Sequence, residues 1–212
     1  MKRFLLAGAL VALATSAFAQ VNIVPAPGLN SGYLPKTSYS SSFYGLVPAS
    51  SATDLLCIAG SATKTVRVTN LTIGGTAGTL VSLPINVLRR ATADTGGTAA
   101  TTTANPGVTT QIASRDTQQA TNASASATLV SYTVNPTIND AAPVYVDSKI
   151  MMLGLTGTTL ASQVTVFDWS RDIANNIQVP TLRGAAQQLC VNLITVSVSS
   201  GVLNGSITWT EE

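Results

Sequence analysis

The stretch Thr79-Leu80-Val81-Ser82-Leu83-Pro84-Ile85-Asn86-Val87-Leu88-Arg89-Arg90 decides the fold class. Val81, Leu83, Ile85 and Val87 occupy every second position, and side chains two apart share one face of a β-strand. A helix would need its apolar residues three and four apart. Pro84 has no amide to give a neighbouring strand, so the run reads as an edge strand or one that carries a bulge. The adjoining run, Lys64 to Ile73, alternates through Val66 and Val68 and then changes phase to Leu71 and Ile73, as a bulge near Thr69-Asn70 would make it.

Outward from these two runs the pattern repeats at Thr128 to Val134, Pro143 to Val146, Lys149 to Leu153, Val164 to Trp169, Leu189 to Val198 and Val202 to Thr210. Turn chemistry separates them, at Gly74-Gly75, Gly96-Gly97, Asn135-Pro136, Asn139-Asp140, Gly154, Gly157, Ser200-Gly201 and Asn204-Gly205. Gly74-Gly75-Thr76-Ala77-Gly78 lacks the Lys-Ser/Thr ending of a phosphate loop and reads as a hairpin or bulge. Good helix formers are scarce, Glu occurring only at Glu211 and Glu212. Many short strands in one chain of this size predict an all-β domain over residues 54–212, a jelly-roll-like two-sheet β-sandwich. Residues 91–128 are rich in Thr, Ala, Ser and Gly and lack aromatics, so they read as an excursion from that domain, with weak strands at Thr98 to Ala104 and Val108 to Ile112.

The N-terminus carries an address. Met1-Lys2-Arg3, the apolar run Phe4 to Ala14 and the small residues around Ala17-Phe18-Ala19 have the order of a bacterial export signal over residues 1–19, with cleavage expected after Ala19. The expected location is therefore the periplasm, the cell surface or the medium, and the membrane is met only through the signal. Residues 20–53 are rich in Pro, Ser and Gly and read as an extended arm. Tyr33, Tyr39, Phe43 and Tyr44 give that arm more aromatic surface than a free linker uses, so it is expected to dock, on its own domain or on a neighbouring subunit. In an oxidising compartment Cys57 and Cys190 either bridge or lie buried as free thiols, and spacing alone leaves both readings open.

Composition removes several functions. The chain has no His, so neither a Ser-His-Asp unit nor a His-containing zinc site can be built from it, and two Cys cannot make a four-thiolate site. No cofactor or metal is expected. Only 9% of the residues are charged, and removal of Lys2 and Arg3 with the signal leaves 9 basic against 9 acidic residues. Nucleic-acid binding needs a concentrated positive surface, and Arg89-Arg90 is the one adjacent basic pair of the mature chain.

Two strings suggest chemistry. Asp94-Thr95-Gly96 has the form in which aspartic proteases present a catalytic carboxylate, although an Asp-Thr-Gly-Gly turn accounts for the same residues. Asp168-Trp169-Ser170-Arg171-Asp172 sets two carboxylates around an indole, as glycoside hydrolysis or a sugar platform would need; a strand ending in a charged surface turn is the simpler reading. Tyr145 and Trp169 are the aromatic candidates for glycan contact, with Asp168 and Asp172 beside them.

The segments Lys64 to Thr69, Gly74 to Thr79, Arg89 to Thr98, Leu182-Arg183-Gly184 and Ile207 to Glu212 resemble small β-rich virion accessory proteins of tailed phages and prophages, of the head-decoration or fibre kind. The likeness lies in strand and turn strings between about residues 55 and 212, and it transfers no functional residue. It implies a non-catalytic structural or adhesive protein whose partners are copies of itself or other particle and surface proteins. The alternatives are a carbohydrate-binding module using Trp169 or Tyr145 and a hydrolase using Asp94 or the Asp168/Asp172 pair.

Overall fold

The computed structural model describes residues 37–48, 53–99, 112–115, 125–157, 163–170, 179–193 and 201–212. Among them twelve strands form one curled, mixed sheet, and no helix element occurs. The strands are β1 (Thr37–Leu46), β2 (Thr53–Ala59), β3 (Thr65–Ala77), β4 (Val81–Arg90), β5 (Thr98–Ala99), β6 (Ala113–Ser114), β7 (Thr128–Ser131), β8 (Val144–Leu155), β9 (Thr165–Asp168), β10 (Thr181–Arg183), β11 (Gln188–Leu193) and β12 (Val202–Glu211). Their order is β5-β7-β2-β11-β4-β8-β3-β12-β1-β6, with β9 and β10 also paired to β3. All pairings are antiparallel except β3 with β8, which meet at Thr76–Gly154 and Ala77–Leu155.

The opening stretch is β4, and it lies inside the sheet between β11 and β8. Ile85–Leu193 is the last pair of the β4–β11 register among the described residues, and no described strand on that side asks Pro84 for an amide. Ile85 and Val87 face one way and Asn86, Leu88 and Arg90 the other, yet all five are buried. β2 is likewise buried at every position, which explains its unbroken Leu55-Leu56-Cys57-Ile58 run. The phase change in β3 is a bulge: Thr208 pairs with Asn70 and Trp209 with Val68, leaving Thr69 over.

Two sequence readings are corrected. Residues 37–46, expected in the arm, are a full strand paired to β12 from Thr37–Glu211 to Leu46–Leu203. Tyr39 and Phe43 sit in the main core, Tyr39 stacked on its cross-strand partner Trp209 at 5.8 Å, whereas Tyr44 is exposed. Tyr33 and most of the rest of 20–53 lie outside the described residues. Gly74-Gly75 and Asn204-Gly205, expected as turns, are interior to β3 and β12. A Cβ on Gly75 would lie 2.2 Å from the Val202 carbonyl oxygen, and one on Gly205 would lie 2.0 Å from that of Thr72. The glycines are there for close strand approach. Of the 91–128 excursion, β5 pairs with β7 and β6 with β1, while Ile112 is buried in the core.

Candidate functional site

Three of the four buried charged residues described, Asp54, Arg90 and Asp94, gather where β2, β4 and β11 meet. Asp54 stands second in β2 and Arg90 closes β4; β11, hydrogen-bonded to both, carries Gln188 opposite Arg90 and Asn192 opposite Asp54. The Arg90 guanidinium Nε donates to Asp54 Oδ2 at 2.5 Å and lies 3.3 Å from Asp94 Oδ2, and its NH1 donates to the Asp140 carbonyl at 2.6 Å. Asn192 Nδ2 donates to the other Asp54 oxygen at 2.5 Å. The Asp94 amide donates to Gln188 Oε1 at 2.9 Å, and the Tyr132 hydroxyl donates to the Asp94 carbonyl at 3.4 Å. Beside this cluster Cys57 and Cys190, directly opposite in the β2–β11 register, are joined in a disulfide with Cα atoms 4.1 Å apart.

One cation faces two acids here, and burial decides the outcome. Burial raises the Asp94 carboxyl to about 7, helped by hydrogen bonding and charge from Asp54 and opposed by Arg90 and the Asn139 amide. Asp94 Oδ2 accepts no hydrogen bond, which suits an oxygen that carries the proton. Burial also pushes the Tyr132 phenol up to about 12, with Asp94 adding to the shift. Burial works against the Arg90 charge, and Asp54, with Asp94 and Asp140, more than offsets it.

An acid poised near 7 is what proton transfer requires. Access is what it lacks. The side chains of Asp54 and Asp94 have no exposed surface, and neither residue lines either of two grooves, of about 540 and 300 Å³, formed by described residues. The oxygens of Asp54 and Asp94 and the two sulfurs lie within 4.8 Å of one another, but the sulfurs are bonded together and a guanidinium fills the gap, so the set does not fit a metal ion. Asp94 therefore serves the core in this arrangement, as the acid half of a neutralised cluster.

The larger groove lies where the core opens beyond the ends of β4 and β8. Arg89, Tyr145, Asp147, Trp169 and Thr181 line it, with Val144, Val146, Val179 and Pro180. In the β4–β8 register Val87 pairs with Asp147 and Leu88 with Tyr145, so Val146 is an extra residue. Such a bulge re-aims the side chains around it. The inward row of β8 thus runs from buried Leu153 and Met151 to Lys149, whose ammonium lies 4.9 Å from the Phe167 ring centre, and ends at Asp147. Phe167 in turn stacks on Trp169 at 5.8 Å. Tyr145 is 64% exposed and Trp169 only 7%, so the phenol is the open ring and the indole forms part of the wall.

The structure thus brings Tyr145 and Trp169 to one groove. Asp168 points elsewhere, its Oδ1 accepting from the Ser170 amide and hydroxyl in a surface turn, and Asp172 lies outside the described residues. Asp54, Arg90, Arg89 and Asp147 were missed by sequence reasoning; the signal available was a charge placed within or at the end of an otherwise apolar strand. No protein family, curated protein or solved structure matches the chain.

Proposed function

We propose that this is an exported, non-catalytic β-sandwich protein of the structural or adhesive kind, a virion decoration or fibre component or a part of a surface assembly, acting through contact with copies of itself or with other particle proteins. The two-sheet, jelly-roll-like reading draws support from the pairings, in which β1, β3, β6, β9, β10 and β12 form one group and β2, β4, β5, β7, β8 and β11 the other, joined where β3 meets β8 at Thr76–Gly154 and Ala77–Leu155. One observation carries the functional reading: the acids within reach of each other are sealed in the core, whereas apolar side chains, Ile150, Met152, Val164 and Val166 among them, are left in solvent. Exposed apolar surface of this sort marks interaction faces.

The test is to express the full chain in bacteria, recover it outside the cytoplasm, measure its mass by light scattering and assay it against protein and polysaccharide substrates. Export, a mass above one chain and no turnover are expected. Hydrolysis abolished by Asp94→Asn or Asp168→Asn would overturn the reading.

The groove favours a second reading, a carbohydrate-binding module. Its open phenol offers a stacking face, while the Arg89 guanidinium and Asp147 carboxylate on its walls are suited to sugar hydroxyls. Tyr145→Ala removes the ring without disturbing the core, and loss of binding on a glycan array by that variant alone would establish it.

A further inference from the structure

β8 presents a strand edge that the rest of the described sheet does not use. β4 pairs with it from Val144 to Leu153, but on the opposite edge β3 meets only Gly154 and Leu155. Among the described residues no strand pairs with that edge from Val144 to Met152. The Ser148 amide donates instead to the neighbouring Asp147 carboxylate at 2.7 Å, and the Met152 carbonyl accepts from the Gln163 amide at 3.3 Å. Both contacts place the outward-directed backbone groups on the even-numbered residues. From Val146 to Met152 the even-numbered side chains are also the exposed ones: Val146, Ser148, Ile150 at 69% and Met152.

Unpaired strand edges are templates for another strand, and proteins guard them with charges. The charges here do more than guard. Read in either direction from Ser148, the segment Val146-Asp147-Ser148-Lys149-Ile150 gives a charge and then a β-branched apolar residue, with the sign reversed between the two directions. We propose that two copies of this chain pair through β8, antiparallel about a two-fold axis at Ser148, so that the sheet continues from one subunit into the other.

A two-fold axis there sets Asp147 against the partner's Lys149, Lys149 against the partner's Asp147, and Val146 and Ile150 against each other. With Ser148 as the hydrogen-bonded pair, the Asp–Lys pairs fall at the closer, non-hydrogen-bonded positions, where cross-strand side chains interact most. Moving the axis to Asp147 or to Lys149 would oppose like charges, so the register is chosen by repulsion as well as attraction. Pairing also frees the Ser148 amide, because Asp147 turns from it to the incoming ammonium, and each Lys149 Nζ exchanges the Val166 carbonyl oxygen, to which it donates at 2.5 Å in the single chain, for that carboxylate.

The inference rests on the reading that the protein works by self-assembly, and its test separates the two. Sedimentation velocity of the full chain over a concentration series is compared for the unaltered protein, Asp147→Lys and Lys149→Asp, with circular dichroism as the folding control. The unaltered chain should double in mass and each folded variant should remain at one chain. An equimolar mixture of the two variants should recover the doubled mass, because each then meets its opposite charge at both positions. Oligomers indifferent to both substitutions would overturn the β8 pairing and leave self-assembly standing. A single-chain mass for the unaltered protein at every concentration would overturn both.

Discussion

Two buried carboxyl groups, held at different places in the sheet, have opposite fates. Glu211, at the end of β12, is buried, yet its oxygens accept from the Ser126 amide and hydroxyl, the Ala127 amide and Trp209 Nε1 at 2.7 to 3.1 Å, with Lys64 Nζ at 3.3 Å. Burial alone would raise it, and these donors more than reverse that, holding the carboxyl below its ordinary value. Asp94 is buried beside an acid and shares its one cation with that acid, and it is raised to about 7. Burial sets the cost of a charge; the number of donors aimed at it decides whether the charge survives.

The contrast can be broken from either side. The largest effect is expected from Asp54→Ala, which leaves the Arg90 guanidinium in the core with only a protonated partner. A loss of about 3–5 kcal/mol is expected, as for a buried ion pair deprived of one member, read from urea denaturation. Glu211→Ala strands the Ser126 and Ala127 amides and the Trp209 indole, for a loss of about 1.5–3 kcal/mol, in the range of a charged hydrogen bond.

Asp94→Asn should be near neutral at low pH and stabilising at pH 8, because the amide keeps a donor toward Asp54 where the native acid must ionise. The linkage signs differ accordingly. Asp94, raised in the folded state from 3.8 to about 7, contributes stability that is complete below its unfolded value and is lost as pH rises toward 7. Glu211, lowered from 4.5, contributes stability that is present above that value and is lost as pH falls below it. Thermal melts from pH 3 to 8 should show Asp94→Asn flattening the upper window and Glu211→Gln the lower one. The smallest effect is reserved for Lys64→Met, since the Lys64 side chain is 35% exposed and such a pair is worth about 0–1 kcal/mol.

Much of the scaffold was legible because alternation is a local property. The β4 run and the Thr69 bulge in β3 follow from residues a few positions apart. β1 escaped because its inward row is Tyr39, Ser41 and Phe43, and a buried serine breaks the apolar count without breaking the strand. Gly75 and Gly205 misled because a glycine that admits a neighbouring strand has the same letter as one that turns the chain. The sites were less legible. Asp54 and Arg90 stand 36 positions apart and the cysteines 133, and only the β2–β11–β4 register brings each pair together. Tyr145 and Trp169 could be chosen as aromatics near strand ends, but their common groove depends on the bulge at Val146.

The proposed function requires that Asp54 and Asp94, which share the Arg90 guanidinium, stay closed to solvent. Carbodiimide coupling of an amine to the carboxyl groups of the native protein, mapped by mass spectrometry, tests it most directly. Asp147 and Asp168 should be modified under native conditions while Asp54, Asp94 and Glu211 react only after unfolding. Modification of Asp94 in the folded protein at the rate of Asp168 would contradict the account.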